Sequence, residues 1–480
     1  MKKRFLFFLV ISIIAAYGCS QPLQSEQAQE IPDKEAYSNA PAGNAASYSY
    51  ASLESGIDAI INSDGGMDMG HYNEIMAAIN ELEMKGFDVS GLREKVARIR
   101  IVEEGQPPKD DYEDEPAQEE FKRGLLSPRG CEGEGPRMLS SPPMALENIQ
   151  KILPMGMVST AHITPTDHQY WHTIGYFGPS DDKSNLDKFE ILAPAEGYIV
   201  ELGRVAGFDD YRIIIEHSCN FYTIFIHVDK LSEKVRSSVR EEDGDVDTQA
   251  WPRIPVKAGE PFGTIGVGKV DFSVVDESVT LKGFVKKETY DGEVWKVHTV
   301  DTFDYYEEPL RSQLLAKNLR KAEPFGGKID YDIDGRLVGN WFLENTNGYL
   351  GLGNENYWTS HLSVAYDALD PSQIVVSLGD FDDGEAGIFG VMGNMPDPKD
   401  VGIEDDIVKY GLVTYDYYSD GRKWDGLNYA DSIEARNSDD LRGVALFQLL
   451  SDGKLKVEFF PGKTASRVSG FTGNSLVYER

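Results

Sequence analysis

Between residues 328 and 480 short apolar runs alternate with tight-turn signals, and this pattern restricts the fold more than any other feature of the chain. The runs are Leu337 to Phe342, Leu362 to Tyr366, Ile374 to Leu378, Gly387 to Val391, Leu412 to Tyr415, Val444 to Leu449, Leu455 to Phe460 and Ser475 to Tyr478. Asp334-Gly335, Asn347-Gly348, Asp383-Gly384, Ser419-Asp420-Gly421 and Asp452-Gly453 fall between them. Runs this short have no room for helices, and Asp-Gly or Asn-Gly pairs supply the positive φ that hairpin turns need. Eight or nine strands so spaced predict an antiparallel β barrel or sandwich.

Upstream, residues 146–327 are also β-rich. Strands are expected at Glu190 to Ala193, Gly197 to Glu201, Tyr211 to His217, Phe221 to Val228 and Gly263 to Gly266, with a helix over 309–321. Residues 102–145 carry Glu103-Glu104, Asp110-Asp111 and Glu113-Asp114-Glu115, broken by Pro107-Pro108, Pro128, Pro136 and Pro142-Pro143, which reads as an acidic linker. Residues 53–101 read as a helical hairpin, since Ile75, Met76, Ile79 and Leu82 share one face and Leu92, Val96 and Ile99 another. Polar residues 19–52 read as a disordered tether. The fold class expected is therefore mainly β and multidomain, with a helical hairpin near the N-terminus.

The chain starts with Met1-Lys2-Lys3-Arg4 and an apolar run from Phe5 to Ala16. Twelve such residues are too few for a spanning helix, which takes about 20, and suit a signal peptide over 1–18. Ala16-Tyr17-Gly18-Cys19 resembles a bacterial-type lipobox, which makes Cys19 the expected lipid attachment site. The expected location is the extracytoplasmic side of the cell envelope, with the membrane as partner through the anchor. In an oxidising compartment the remaining cysteines, Cys131 and Cys219, are expected to pair. A net charge of −33 argues against nucleic acid as a partner, because phosphates repel a polyanion.

Five of the eight histidines, His162, His168, His172, His217 and His227, fall within 66 residues and surround Asp167. Over the same stretch four blocks occur in order. Ala193-Pro194-Ala195-Glu196-Gly197-Tyr198-Ile199-Val200, Tyr211 to His217, Thr223 to Val228 and Val256 to Gly263 resemble the "A-P-x-x-G-x-V", "V-x-I-x-H", "T-x-Y-x-H-L" and "V-x-x-G-x-x-I-G" blocks of lysostaphin/LytM-type peptidases, the duplicated hybrid motif. The resemblance implies a β domain with a zinc pocket. The family holds zinc with an early H-x-x-x-D and the second His of a late H-x-H. Here the early motif is His162 to Asp167, one residue longer, and the late one reads Lys269-Val270-Asp271.

His162, Asp167, His168 and Asp271 are thus the candidate metal ligands, with zinc as the metal, and His227 and Lys269 stand at the catalytic positions. A catalytic zinc keeps three protein ligands and one open position for water. Lys269 has no lone pair to serve as a base while charged, and it repels a cation; an ion pair with Asp271 is the simpler expectation. With Ser218-Cys219-Asn220 as a three-residue turn, His217 pairs with Phe221 and His227 with Tyr211; the two histidines then lie about 20 Å apart along one face and are not expected to share a metal. The leading expectation is a non-catalytic peptidase-like domain that binds or scaffolds a cell-wall glycan or protein. The alternatives are a zinc metalloendopeptidase acting on cell-wall or protein peptides and a small-ligand carrier. The last rests on Gly339-Asn340-Trp341, which resembles the G-x-W start of lipocalins. Asp330-Tyr331-Asp332-Ile333-Asp334-Gly335 begins like a calcium loop but has Trp341 where the bidentate Glu belongs.

Overall fold

The computed structural model describes residues 135–480, apart from 176–186, 206–209, 240, 243–244, 247–251, 267, 353–355 and 383, together with positions 57, 75, 79, 92, 95, 96, 125, 126 and 131. The expected signal peptide, Cys19, the expected tether and most of the expected linker lie outside the described residues. The six described positions within 53–101 are all helical, and Ile57, Ile79, Leu92 and Val96 among them are buried. They belong to a different compact unit from the two β domains.

The first β domain contains β1 (Ile149–Leu153), β2 (Gln169–Thr173), β3 (Glu190–Leu192), β4 (Gly197–Arg204), β5 (Tyr211–Ser218), β6 (Phe221–Leu231), β7 (Glu241–Glu242), β8 (Asp245–Val246), β9 (Ile254–Val256), β10 (Pro261–Ile265) and β11 (Lys269–Asp276). Its main sheet runs β1-β2-β11-β6-β5-β4-β9, and β10 pairs with β3 and β6. Alternation along β11 sends Val270, Phe272 and Val274 into a core shared with Trp171, Phe225 and Phe262. Lys269, Asp271 and Ser273 therefore point to the other face. Gly197, the glycine of the first block, lies so close to β5 that a Cβ would stand 2.3 Å from the Glu216 carbonyl oxygen. Cys131 and Cys219 form the expected disulfide, with Cα atoms 5.1 Å apart.

Two expectations need correction here. The β5–β6 turn holds two residues, Cys219 and Asn220: Ser218 pairs with Phe221 and Tyr211 with Val228, not His217 with Phe221 and His227 with Tyr211. The helix expected over 309–321 is a single short α-helix, α2 (Leu310–Leu315), following α1 (Glu233–Ser237). Beyond it Asn318 uses its side-chain amide on the Arg320 and Phe325 carbonyls, and the backbone turns away.

The C-terminal domain is a closed antiparallel barrel. Its strands are β12 (Gly339–Leu343), β13 (His361–Tyr366), β14 (Ile374–Asp382), β15 (Glu385–Val391), β16 (Val408–Ser419), β18 (Glu434–Leu449), β19 (Leu455–Pro461) and β20 (Leu476–Glu479); β17 (Arg422–Lys423) only extends the β16 hairpin. Each strand pairs with the next, and the β15–β16 and β12–β20 pairings complete the ring. Closure satisfies strand edges that a sandwich would leave open. Trp341, Leu362, Val376, Leu378, Phe389, Tyr410, Phe447 and Tyr478 belong to its buried core. The Arg480 guanidinium covers the Trp341 ring at 3.9 Å. The acidic stretch at 330–334 is structural: Asp330 accepts from the Gly283 amide, and Asp332 accepts from the amides of Val285 and Asn340.

The barrel's outer wall packs on the first domain. Ser377 of β14 donates to the Ile163 carbonyl (2.5 Å), and Asn340 of β12 donates to Tyr290 (3.0 Å). A second contact comes from the β16–β18 hairpin, where Lys151 of β1 bonds the carbonyls of Gly426 and Leu427 beside Trp424.

Candidate functional site

Three adjacent strands bring together residues far apart in sequence. Tyr170 of β2 lies opposite Asp271 of β11, and His172 opposite Lys269, so all four share the face turned away from the core. Asp271 also pairs with Ile226 of β6. Phe225 and Val228 both face the core although they are three positions apart, so β6 carries an extra residue between them. His227 sits in that irregularity with φ of 71°, a left-handed conformation uncommon for a side chain of this size. This swings its ring to the Asp271 side: His227 Nε2 is 3.5 Å from Asp271 Oδ2, and its Nδ1 bonds Asp210 (2.6 Å).

The loop before β2 delivers Asp167 and His168. Ser273 of β11 donates to the Asp167 carbonyl (2.9 Å) and fixes the loop on the sheet. His168 Nδ1 donates to Asp167 Oδ1 (3.1 Å), and the buried His168 Nε2 lies 3.5 Å from Asp271 Oδ2 with no hydrogen-bond partner among the described residues. The His162 ring stands edge-on to that of His168, 5.4 Å away. Asp167, His168, His227, Lys269 and Asp271 therefore converge, with His162 beside them. His217 is elsewhere: it bonds the Glu196 carbonyl (2.8 Å) and the Thr223 hydroxyl (2.9 Å) as a satisfied structural residue.

Cations occupy both acids. Lys269 Nζ is 2.8 Å from Asp271 Oδ1, the ion pair expected from the sequence. Lys296 Nζ is 3.1 Å from Asp167 Oδ2 and 2.9 Å from Glu293 Oε2, above the Tyr349 ring at 4.5 Å. Trp295 Nε1 donates to the same Asp167 oxygen (2.9 Å). Asp167, His168, His227, Asp271 and Lys296 are each no more than 8% exposed. Burial alone would lift both carboxyls. Lys296 and His168 instead hold Asp167 well below the usual range, and Lys269, His227 and His168 bring Asp271 to about 2. Burial likewise works against the Lys296 charge, and Asp167 and Glu293 outweigh it, keeping the amine above its ordinary value. Desolvation, reinforced by His168 and Lys296, lowers His162 to about 3.

Lys296, Trp295, Glu293 and Asp210 were not foreseen from sequence. Asp210 had a signal, an acid immediately before a strand paired to the His227 strand. The other three lie in a 3₁₀ segment, Lys287–His298, with no periodicity to expose them.

A hydrolytic zinc would need carboxylates and imidazoles free to converge on one point. The residues present do not fit that demand. Among the described residues no group of three His, Cys, Asp or Glu side chains is placed to hold a metal, and each central carboxylate already carries an ammonium.

No protein-family model matches the chain, and no curated protein does. Similar solved structures include a zinc-containing peptidase from Vibrio cholerae, at 14% identity and a TM-score of 0.19 over 32% of this chain and 42% of that one. CbpA from L. salivarius REN aligns at 9% identity and 0.18, over 29% of this chain and 78% of that one. Lysostaphin aligns at 12% identity and 0.21, over 70% and 96%. The match spans less than half of the Vibrio protein. At scores this low the pocket's own geometry carries the functional reading.

Proposed function

We propose that the chain is an exported cell-envelope lipoprotein whose peptidase-like β domain is non-catalytic and serves binding or scaffolding of a cell-wall glycan or protein. One observation carries the reading: Asp271 and Asp167, the acids best placed to ligate a metal, are neutralised by Lys269 and Lys296. An ammonium at each position repels a cation and accepts no proton while charged. The basic start, the apolar run and Cys19 support export and anchoring. The test is elemental analysis of purified protein after dialysis, together with incubation on peptidoglycan and on a protein substrate. The expected result is no bound zinc and no cleavage. Stoichiometric zinc, with cleavage abolished by His162→Ala, would replace this reading with that of a zinc endopeptidase. The observation on that side is the buried His168 Nε2, which faces Asp271 and has no hydrogen-bond partner among the described residues.

A further inference from the structure

Charge is spread unevenly along the chain. The whole carries −33, yet Gly453 to Tyr478 holds Lys454, Lys456, Lys463 and Arg467 against a single acid, Glu458. The barrel gathers cations on one part of its outer wall. Lys409 of β16 lies opposite Leu446 of β18, and Leu446 lies opposite Glu458 of β19. The loop after β19 folds back over this wall, where Val444, Leu446, Phe460 and Val468 are buried together with Phe471 against them. Lys409 Nζ donates to the carbonyls of Ala465 (3.1 Å) and Val468, which places it at the loop that carries Lys463 and Arg467. These charges are held without being cancelled. Lys456 lies over the Phe471 ring at 4.6 Å and Lys463 over the Phe460 ring at 5.2 Å. A ring face or a carbonyl orients an ammonium and leaves its charge in place. Glu458 is buried and engaged elsewhere, accepting from the Thr472 amide (2.6 Å) and hydroxyl. Lys454 is bound to Glu344, but among the described residues Lys409, Lys456, Lys463 and Arg467 have no ion pair.

We infer that this wall of the barrel is a docking surface for an acidic polysaccharide, with one anionic group on each sugar or each second sugar. Uncompensated cations on a polyanionic chain call for an anionic partner at that spot. The chemistry of the loop selects a glycan over a bilayer. Lys463-Thr464-Ala465-Ser466-Arg467 is exposed throughout and offers cations and hydroxyls, with no large apolar side chain to enter a membrane. Charge density selects a glycan over nucleic acid. Duplex DNA carries a charge about every 1.7 Å and meets strong repulsion from the rest of this chain, whereas the sparser anions of a glycan meet the patch with less. The surface is separate from the pocket of the first domain, and the inference stands whether or not that domain is catalytic.

The experiment uses the full chain as wild type, Lys463→Gln/Arg467→Gln and Lys282→Gln/Lys286→Gln. The last makes the same change in net charge at exposed lysines of the first domain. Each protein is titrated into fluorescently labelled oligogalacturonate and followed by anisotropy. A neutral malto-oligosaccharide of equal length, duplex DNA and phosphatidylglycerol vesicles serve as the other probes. Wild type is expected to bind the oligogalacturonate and not the neutral glycan. Lys463→Gln/Arg467→Gln is expected to bind at least about fivefold more weakly, and Lys282→Gln/Lys286→Gln within about twofold of wild type. Salt gives an independent signature. The screening length is about 30 Å at 0.01 M, about 10 Å at 0.1 M and about 3 Å at 1 M. At the lowest salt the charge of the whole chain repels the ligand, and at the highest the patch itself is screened, so affinity is expected to peak near 0.1 M. Thermal melting checks that each variant is folded, and Lys456→Gln replaces the double variant if that one is not. No binding of oligogalacturonate at any salt, equal binding by wild type and Lys463→Gln/Arg467→Gln, or tighter binding of the neutral glycan, DNA or vesicles overturns the inference.

Discussion

Replacing Lys296 with leucine is the most direct test of whether the pocket's internal cations hold the domain together. The ammonium is buried, with Asp167 at 3.1 Å and Glu293 at 2.9 Å. At an effective dielectric of about 20, a pair 3.1 Å apart attracts by roughly 5 kcal/mol. Part of this is offset, because leucine does not need to be stripped of an ion's hydration. The main loss is that Asp167 stays buried without its cation, and breaking one side of a buried pair costs about 3–5 kcal/mol. Asp167 keeps the Trp295 and His168 donors, so the lower end, about 3 kcal/mol, is expected. For a domain of this size that corresponds to a melting point lower by about 6–12 °C. Asp167→Asn removes the stranded charge, so Lys296→Leu/Asp167→Asn should lose less than the two single variants summed, with a coupling of about 1–3 kcal/mol. Urea and thermal unfolding of the four proteins complete the cycle. A Lys296→Leu loss below about 1 kcal/mol, or strict additivity, would refute the claim that this ion pair anchors the pocket.

Acid should destabilise the protein in two stages. His217 and His361 are held by burial at about 4 and about 3 against 6.5, so unfolded chains take up protons first and stability falls as pH drops below about 6.5; melting points unchanged between pH 7 and 5 would refute this. Asp271, held at about 2 against 3.8, contributes stability that is complete above 3.8 and lost as pH falls towards 2, and Asp271→Asn should flatten that second stage. The Cys131–Cys219 bridge joins residues 88 apart, so Cys131→Ser/Cys219→Ser should cost up to about 4.6 kcal/mol by loop entropy; unreduced peptide mapping and urea titration measure both bond and cost. His227→Gly should be more stable than His227→Ala by about 1 kcal/mol, because only glycine relieves the left-handed backbone; equal melting points would refute the strain.

The barrel was legible because Asp-Gly and Asn-Gly turns punctuate several of its short apolar runs. Asp334-Gly335, Asp383-Gly384, Asp420-Gly421 and Asp452-Gly453 all have glycines with positive φ, and all eight apolar runs overlap observed strands. Barrel against sandwich was undetermined, since closure depends on the β15–β16 and β12–β20 pairings and no local pattern encodes a pairing. In the first domain β2 escaped notice because Gln-Tyr-Trp-His-Thr shows its apolar face only at Trp171. At the site, residues inside the motif positions were legible, and the Lys269–Asp271 pair follows from two residues sharing a strand face. Lys296 was not legible. It comes from 3₁₀ backbone outside the four blocks, and only the tertiary fold places it against Asp167.

That difference bears on how the two buried acids are neutralised. Lys269 lies two residues from Asp271 on the same strand and can neutralise it by local geometry alone. Asp167 has no such neighbour, because Thr166 and His168 flank it and the ring of His168 is shared with Asp271. Its cation has to arrive from a distant segment, and that segment has to be held in place. Trp295 provides the attachment: its indole N–H donates to Asp167, and the Arg212 guanidinium of β5 lies 4.8 Å from its ring. The adjacent Lys296 then meets Asp167 from above Tyr349, whose carbonyl accepts from His361 at the start of β13. The positive charge facing Asp167 thus comes from a segment that also reaches the barrel wall, where Asn340 donates to Tyr290. The segment that neutralises Asp167 is therefore also one that contacts the barrel, so a change that displaces it is expected to disturb both contacts.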